Sequence, residues 1–257
     1  MPGTIGQVPK DRPQFDGSRG LMDAPELLAA ITRVGPDAVT ATLAPRLTPA
    51  RKARIEAVLR GRVGSIQVAV EDPQDPHNAA AVVRTAEALG AGAVHMIGGS
   101  PRALQHRKVT RGTFYWADTH EHADIEGLAA VLPPGMRIAG ACVDGPTMSL
   151  ADVPVDRPLC LLFGSEQSGL SAAARARCDL QFRVPMFGMA ESLNLSVAAG
   201  IVLHALLERR RAHLGAPGDL DEQELAVRRA RWYAKAVDPR LARHALGLGE
   251  TTKEHES

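Results

Sequence analysis

Hydrophobic and polar positions change period along the chain. Between Ser65 and Leu214, short apolar runs alternate with longer segments of helical spacing. "SIQVAVED", "AVHMIGG", Arg137 to Val143, "PLCLLFG" and "LQFRVPM" read as strands. "HNAAAVVRTAEALG", Ile125 to Leu132, Ser171 to Arg177 and Leu195 to Arg211 read as helices, the first stopped by Gly90. The strands are near-continuous apolar runs, which need cover on both faces. Strands alternating with helices predict an α/β fold, a mostly parallel sheet flanked by helices. Upstream, Met22 to Ile31 reads as a short amphipathic helix. "LTPARKARIEAVLRGR" reads as a second one, with Thr48 as cap, Pro49 in the first turn and a stripe of Ile55, Val58 and Leu59. After Pro217 the pattern is helical and charged, with Trp232 and Tyr233, and ends in a polar stub. The organisation expected is therefore a flexible tail over 1–20, a basic helical extension over 21–64, an α/β domain over 65–214 and a helical C-terminal extension over 215–257.

Composition narrows the class. At 45% hydrophobic and 23% charged, the chain is an ordinary globular sequence. No stretch reaches the ~18–20 apolar residues of a membrane span. "MPGTIGQVPKDRPQFDGSRG" lacks the apolar run of a secretory signal, so a cytoplasmic protein is expected. Cys142, Cys160 and Cys178 each sit in or beside an apolar segment and read as small buried hydrophobes. "HEH" at His120 to His122 has no further ligand nearby, and no metal is expected.

Net charge is only +1, but basic residues cluster: Arg46, Arg51, Lys52, Arg54, Arg60 and Arg62, then Arg102, Arg107, Lys108 and Arg111. Two further clusters are Arg209 to Arg211, and Arg228, Arg229, Arg231 and Lys235. Each alone fits a solvated helix face. Four of them against a balanced total point to a phosphate-rich partner.

The polar, glycine-containing loops follow strands: "EDPQDPHN", "GGSPR", "CVDGP", "FGSEQSGLS" and "VPMFGMAESLN". Ligands of open parallel sheets bind at such strand ends. No loop has the G-x-x-x-x-G-K-[ST] phosphate cradle, and no G-x-G-x-x-G follows the first strand. In the last loop, Glu191, Ser192 and Asn194 stand before a helix that needs a single cap. At Arg84, the neighbours Ala81, Val82, Val83 and Ala86 suggest a partly buried guanidinium, which needs an anionic partner.

Three segments in order, "EDPQDPHNAAAVVRTAEALGAGAVHMIGG", "LCLLFGSEQSGLS" and "VPMFGMAESLNLSVAAGIVLHAL", resemble the motifs of the SpoU (TrmH-like) RNA 2′-O-ribose methyltransferases of the SPOUT superfamily. The resemblance implies a sheet whose C-terminal part forms a trefoil knot, with S-adenosyl-L-methionine as cofactor and a homodimer as assembly. "LTPARKARIEAVLRGR" is similar to the N-terminal helix of the tRNA-modifying branch, which implies tRNA methylated at guanosine-18 of the D-loop. The alternatives weighed are a ribosomal-RNA 2′-O-methyltransferase and, from another class, a non-catalytic RNA-binding module.

Carried over by position, the resemblance makes Asn78, Arg84, Glu166, Ser192 and Asn194 the catalytic candidates. Ala141, Phe163, Gly164, Glu166, Val184, Met186, Gly188 and Leu193 become the cofactor contacts. Of Ser192 and Asn194, one can cap the last helix and the other is left for the site. An arginine cannot serve as a free base, so the role expected of Arg84 is to stabilise the 2′-alkoxide and clamp the adjacent phosphate. Arg51, Lys52, Arg54, Arg84, Arg107 and Arg111 are the RNA-binding candidates. Two departures stand out. "TRGTFYWAD" carries the bulk of Phe114 and Tyr115, and Glu191 stands where the tRNA branch usually has glutamine.

Overall fold

A computed structural model describes residues 24–98 and 115–248. The expected tail over 1–20, Arg107 and Arg111 lie outside them. Three helices come first: α1 (Ala24–Val34), α2 (Pro36–Leu43) and α3 (Pro49–Arg60). The α/β unit follows as β1 (Ile66–Glu71), α4 (Pro76–Leu89), β2 (Val94–Ile97), β3 (Thr119–His122), α5 (Ile125–Val131), β4 (Arg137–Ala141), β5 (Met148–Ser149), β6 (Leu159–Phe163), α6 (Ala172–Arg177), β7 (Leu180–Arg183) and α7 (Leu195–Leu214). Two helices close the described chain, α8 (Glu222–Ala236) and α9 (Pro239–Ala245).

Among the described residues the strands form one seven-stranded sheet in the order β3-β2-β1-β6-β4-β7-β5, with every pairing parallel. Side chains alternate across it, as the two-residue period requires. Val68, Val70, Leu159, Leu161 and Phe163 face a core shared with α4 and α7, including Val82, Val83, Leu203 and Leu206. Ala69, Cys160 and Leu162 face the opposite layer, with Ile125, Leu128 and Ala174 from α5 and α6. Both faces are covered, which is why these strands read as continuous apolar runs.

The segments outside the α/β unit meet each other. Leu27, Ile31, Val39, Leu43, Ile55 and Leu59 from the N-terminal helices pack with Leu225, Trp232, Tyr233 and Leu246 near the C-terminus in one apolar cluster. Arg231 on α8 reaches Asp118 at the start of β3 at 2.5 Å, and Arg228 reaches the same carboxylate at 3.2 Å.

Three elements differ from the sequence expectation. "THEH" is a strand, β3, rather than an isolated histidine pair: His122 Nε2 lies 2.9 Å from His95 Nδ1, and His95 Nε2 lies 2.8 Å from the Gln67 side-chain oxygen. No group of histidine, cysteine and acidic side chains among the described residues is disposed to hold a metal ion. β5 is only two residues long, and α2 has no strong apolar period; both are held by tertiary neighbours. Finally, Arg84 is exposed, not partly buried. Val82, Val83 and Ala86 turn inward on α4, and the guanidinium sits on the opposite face.

Two of the four basic clusters are also spent inside the protein. Arg209 donates to the Leu150 and Val153 carbonyls at 3.0 and 2.7 Å. Arg210 is buried and donates to the Val155 carbonyl and the Ser65 hydroxyl. Arg211 donates to the carbonyls of Gly61, Leu89 and Pro217. Arg228 and Arg231 hold Asp118, and Arg229 holds Glu56. No helix of the described residues is long and apolar enough to cross a membrane.

Candidate active site

The strand order places the site. β1 has β2 on one side and β6 on the other, so the chain winds in opposite directions from this point and the following loops part. A crevice at the strands' C-terminal ends results. The loop after β1 enters α4, where Asp75 caps the helix by accepting from the His77 amide at 2.8 Å. Asn78 therefore stands on the first turn of α4, facing the loop after β6.

That loop, "GSEQSG", is closed on itself. Ser165 and Gly169 exchange backbone hydrogen bonds at 3.1 and 3.0 Å, and the Ser165 and Ser168 hydroxyls lie 2.8 Å apart. Gly169 has φ +65, where a side chain is disfavoured. A Cβ on Gly164 would lie 2.0 Å from the Gly169 carbonyl carbon, so only glycine closes the loop. Its geometry projects Glu166 toward α4. The Asn78 side-chain amide donates to Glu166 Oε1 at 2.8 Å, and the Gln74 amide donates to Oε2 at 3.1 Å.

The third loop, before α7, completes the network. Asn194 Oδ1 accepts from the Ser196 and Val197 amides at 2.9 and 3.3 Å, capping α7. Its Nδ2 donates to Asn78 Oδ1 at 3.1 Å. Asn194 thus does both jobs that the sequence divided between two residues. Ser192 caps nothing and lies exposed on the cavity wall. The structure joins Asn194, Asn78 and Glu166 into one hydrogen-bonded chain across three loops. Among the described residues, Arg84 joins no such network and is an uncommitted exposed cation on the helix that carries Asn78.

Beside this chain lies a cavity of about 740 Å³, within the size range of small-molecule and cofactor sites. Ala141, Phe163, Gly164, Glu166, Val184, Met186, Ser192 and Leu193 all line it. Gly188 does not; it is exposed in the loop. The floor is apolar, from Phe163, Phe182, Leu195 and Ala198. The charged lining residues are Asp144, Glu166, Glu191, Arg175 and Arg183, three carboxylates against two guanidiniums. Sequence reasoning passed over Gln74, Asp144 and Arg175. Asp144 stood in a loop recognised as strand-end, but Arg175 looks like any helical surface arginine until the fold brings the two together.

Of the RNA-binding candidates, Arg51 lies 5.1 Å from the Trp116 ring centroid, a cation–π distance, and Arg54 is exposed. Lys52 is half-buried on the same helix.

The SpoU rRNA Methylase family matches residues 65–204, which span the whole of this crevice. The chain belongs to that family. A tRNA (guanosine(18)-2′-O)-methyltransferase from Thermus thermophilus is 33% identical over 190 residues, covering 73% of this chain and 98% of the relative. One of the same name from Escherichia coli (strain K12) is 31% identical, covering 66% of this chain and 74% of the relative. Among solved structures, an A. aeolicus TrmH/SpoU tRNA modifying enzyme is 28% identical at TM-score 0.65, covering 73% of this chain and 97% of that one. An AdoMet-bound rRNA methyltransferase from Sinorhizobium meliloti is 28% identical at TM-score 0.53, covering 61% of this chain and 60% of that one.

Proposed function

We propose that this SpoU-family protein is an S-adenosyl-L-methionine-dependent RNA 2′-O-ribose methyltransferase acting on tRNA at guanosine-18 of the D-loop. The observation that carries the reading is the Asn194–Asn78–Glu166 chain running beside the three-loop cavity. S-adenosylmethionine has an apolar-faced adenosine and, counting sulfonium, ammonium and carboxylate, a net charge of +1. A cavity with an apolar floor and one excess carboxylate fits it. Ala141, Phe163, Gly164, Val184, Met186 and Leu193 would hold the adenosine, and Gly164 lets the backbone approach closely. The cofactor supplies an activated methyl group; this chain's residues supply position and charge. Glu166 fixes Asn78, and Asn78 and Asn194 orient each other at the rim. Arg84, exposed on α4, is free to take an RNA phosphate bidentately and to stabilise the developing 2′-alkoxide. Arg51, Lys52 and Arg54 on α3, with Arg107 and Arg111, extend the contact along the RNA.

The reading includes the knot and the dimer. β7 lies between β4 and β5, and β6 between β1 and β4. This interleaving of the C-terminal strands suits a chain end threaded through a loop. Phe187 and Met189 are 99% and 100% exposed, and Val197 and Ile201, one turn apart on α7, continue the apolar surface. A second copy of the chain would cover it, beside the site of each protomer, in the cytoplasm where tRNA is modified. The ribosomal-RNA alternative draws on a 23S rRNA (guanosine-2′-O-)-methyltransferase from Nitrosomonas europaea, 34% identical, but the match covers only 65% of that protein.

The deciding experiment is transfer of tritium from labelled S-adenosylmethionine to unmodified bulk tRNA and, separately, to ribosomal RNA, with the labelled nucleotide mapped. Label in 2′-O-methylguanosine of the tRNA D-loop is expected. Label in ribosomal RNA alone would move the substrate to the second reading. Cofactor binding without transfer to any RNA would favour the non-catalytic RNA-binding module.

A further inference from the structure

Asp144 and Arg175 form an ion pair on the cavity wall that the hydrogen-bonded chain of Asn78, Glu166 and Asn194 does not use. Arg175 Nη2 lies 2.7 Å from Asp144 Oδ1, and Arg175 Nε reaches the Leu170 carbonyl at 3.4 Å. Asp144 comes from the loop after β4 and Arg175 from α6. The pair thus joins two of the elements that build the cavity.

As a stabilising contact it is poorly placed. The side chains are 70% and 30% exposed, and ion pairs in such solvation contribute little. Its bonding is also incomplete. Nε and Nη2 of Arg175 are engaged, while Nη1 has no partner among the described residues; the Asp144 carboxylate accepts from Arg175 and from its own backbone amide, which leaves acceptor sites over. Glu166, the carboxylate of the loop after β6, has both oxygens occupied by Asn78 and Gln74. The pair therefore presents a free cationic donor and a free anionic acceptor side by side, and both residues line the cavity. A phosphate would need donors only. An adjacent donor and acceptor of opposite charge match a group that carries an ammonium and a carboxylate on one carbon.

We propose that Asp144 and Arg175 are the subsite for the α-amino-acid end of the cofactor, Arg175 taking its carboxylate and Asp144 its ammonium. The inference rests on the cofactor reading above. It adds that discrimination between full-length cofactor and its nucleoside fragments resides in this pair rather than in the apolar floor. The pair's pKa directions agree: the hydrogen bond and charge of Arg175 hold the Asp144 carboxyl below its ordinary value, and both groups stay charged.

The test is calorimetric binding of two probes to the intact protein. S-adenosylhomocysteine carries the amino-acid end; 5′-methylthioadenosine lacks it. Arg175→Ala and Asp144→Ala should each weaken S-adenosylhomocysteine by about tenfold to a hundredfold, the range for hydrogen bonds to charged groups, and leave methylthioadenosine unchanged. Arg175→Lys, which keeps the charge but not the fork, should fall between. Equal weakening of both probes, or of neither, would overturn the subsite while leaving the cofactor reading intact. A wild-type protein that binds neither probe would overturn both.

Discussion

Arg84 shows how a residue's chemistry can be read correctly from a wrong environment. Its apolar neighbours in sequence suggested partial burial, yet a helix turns each side chain about 100° from the last, and the neighbours go inward while Arg84 goes out. The exposed guanidinium needs no anion for the fold, so its partner can be the substrate. Arg84→Ala should lower methyl transfer by about a hundredfold or more, the scale for removing one transition-state donor, with S-adenosylhomocysteine affinity unchanged by calorimetry. An equal loss of cofactor affinity would place Arg84 on the cofactor side. A second residue, Lys235, carries a pH dependence. Burial lowers its pKa to about 7, helped by Arg231 and opposed by Asp118. Its ammonium donates to the Tyr115 carbonyl. An unfolded lysine titrates near ~10.4. Below the range where thiols ionise the unfolded chain binds the extra proton, so stability should rise with pH from about 7 to about 8.5, by at most about 1.4 kcal/mol per pH unit. Above about pH 9 the trend should reverse, because burial raises the Cys160 and Cys178 thiols and the Tyr115 phenol to about 12 and keeps them protonated in the fold. Urea denaturation at a series of pH values would show the rise in the wild type and its loss in Lys235→Met.

At the scale of elements, most of the α/β unit was legible because its signals are local. Apolar runs gave β1, β4, β6 and β7, and Thr48, Ser171 and Asn194 cap helices where caps were written. β3 was not legible, because "THEH" has no apolar face; it becomes a strand by pairing with β2, His95 beside His120 and Ile97 beside His122. The site divided along the same line. Motif residues stood out singly, but that Asn78 bonds both Glu166 and Asn194 depends on separations of 88 and 116 residues, which only topology closes. Asn194 couples element to site, and the coupling can be separated. Asn194→Asp keeps the acceptor that caps α7 and loses the donor to Asn78, so thermal stability should hold while methyl transfer falls. Asn194→Ala loses both, and should cost about 1–2 kcal/mol of stability as well. If Asn194→Asp retained full activity, the bond to Asn78 would have no part in catalysis.

For the whole molecule, the open question is how a helical unit made from both ends of the chain is held to the α/β unit. The apolar cluster of α1, α2, α3, α8 and α9 gives the helical unit its own core. One tie to the sheet runs through Asp118, which receives Arg228 and Arg231 from α8 and lies 3.4 Å from His120 on β3. Burial opposes the charge on Asp118, but the hydrogen bond from His120 and the two arginines outweigh it and hold the carboxyl well below its usual range. This also explains why the basic pattern after Pro217 overstated the RNA surface: the acid partners of its arginines lie 113 residues away for Arg231 and 173 for Arg229, where a local pattern cannot show them. Removing the carboxylate leaves Arg231, only 4% exposed, as a buried cation without its counter-ion. Asp118→Ala should therefore cost about 3–5 kcal/mol, the range for breaking one side of a buried pair. The loss should be local first. Both tryptophans of the chain, Trp116 and Trp232, lie in the helical unit with ring centroids 5.4 Å apart. In urea, their fluorescence should report a transition that in Asp118→Ala precedes the far-ultraviolet circular dichroism of the molecule, whereas the wild type should show the two together. Coincident transitions in the variant would mean that the apolar cluster, not Asp118, makes the two units fold as one.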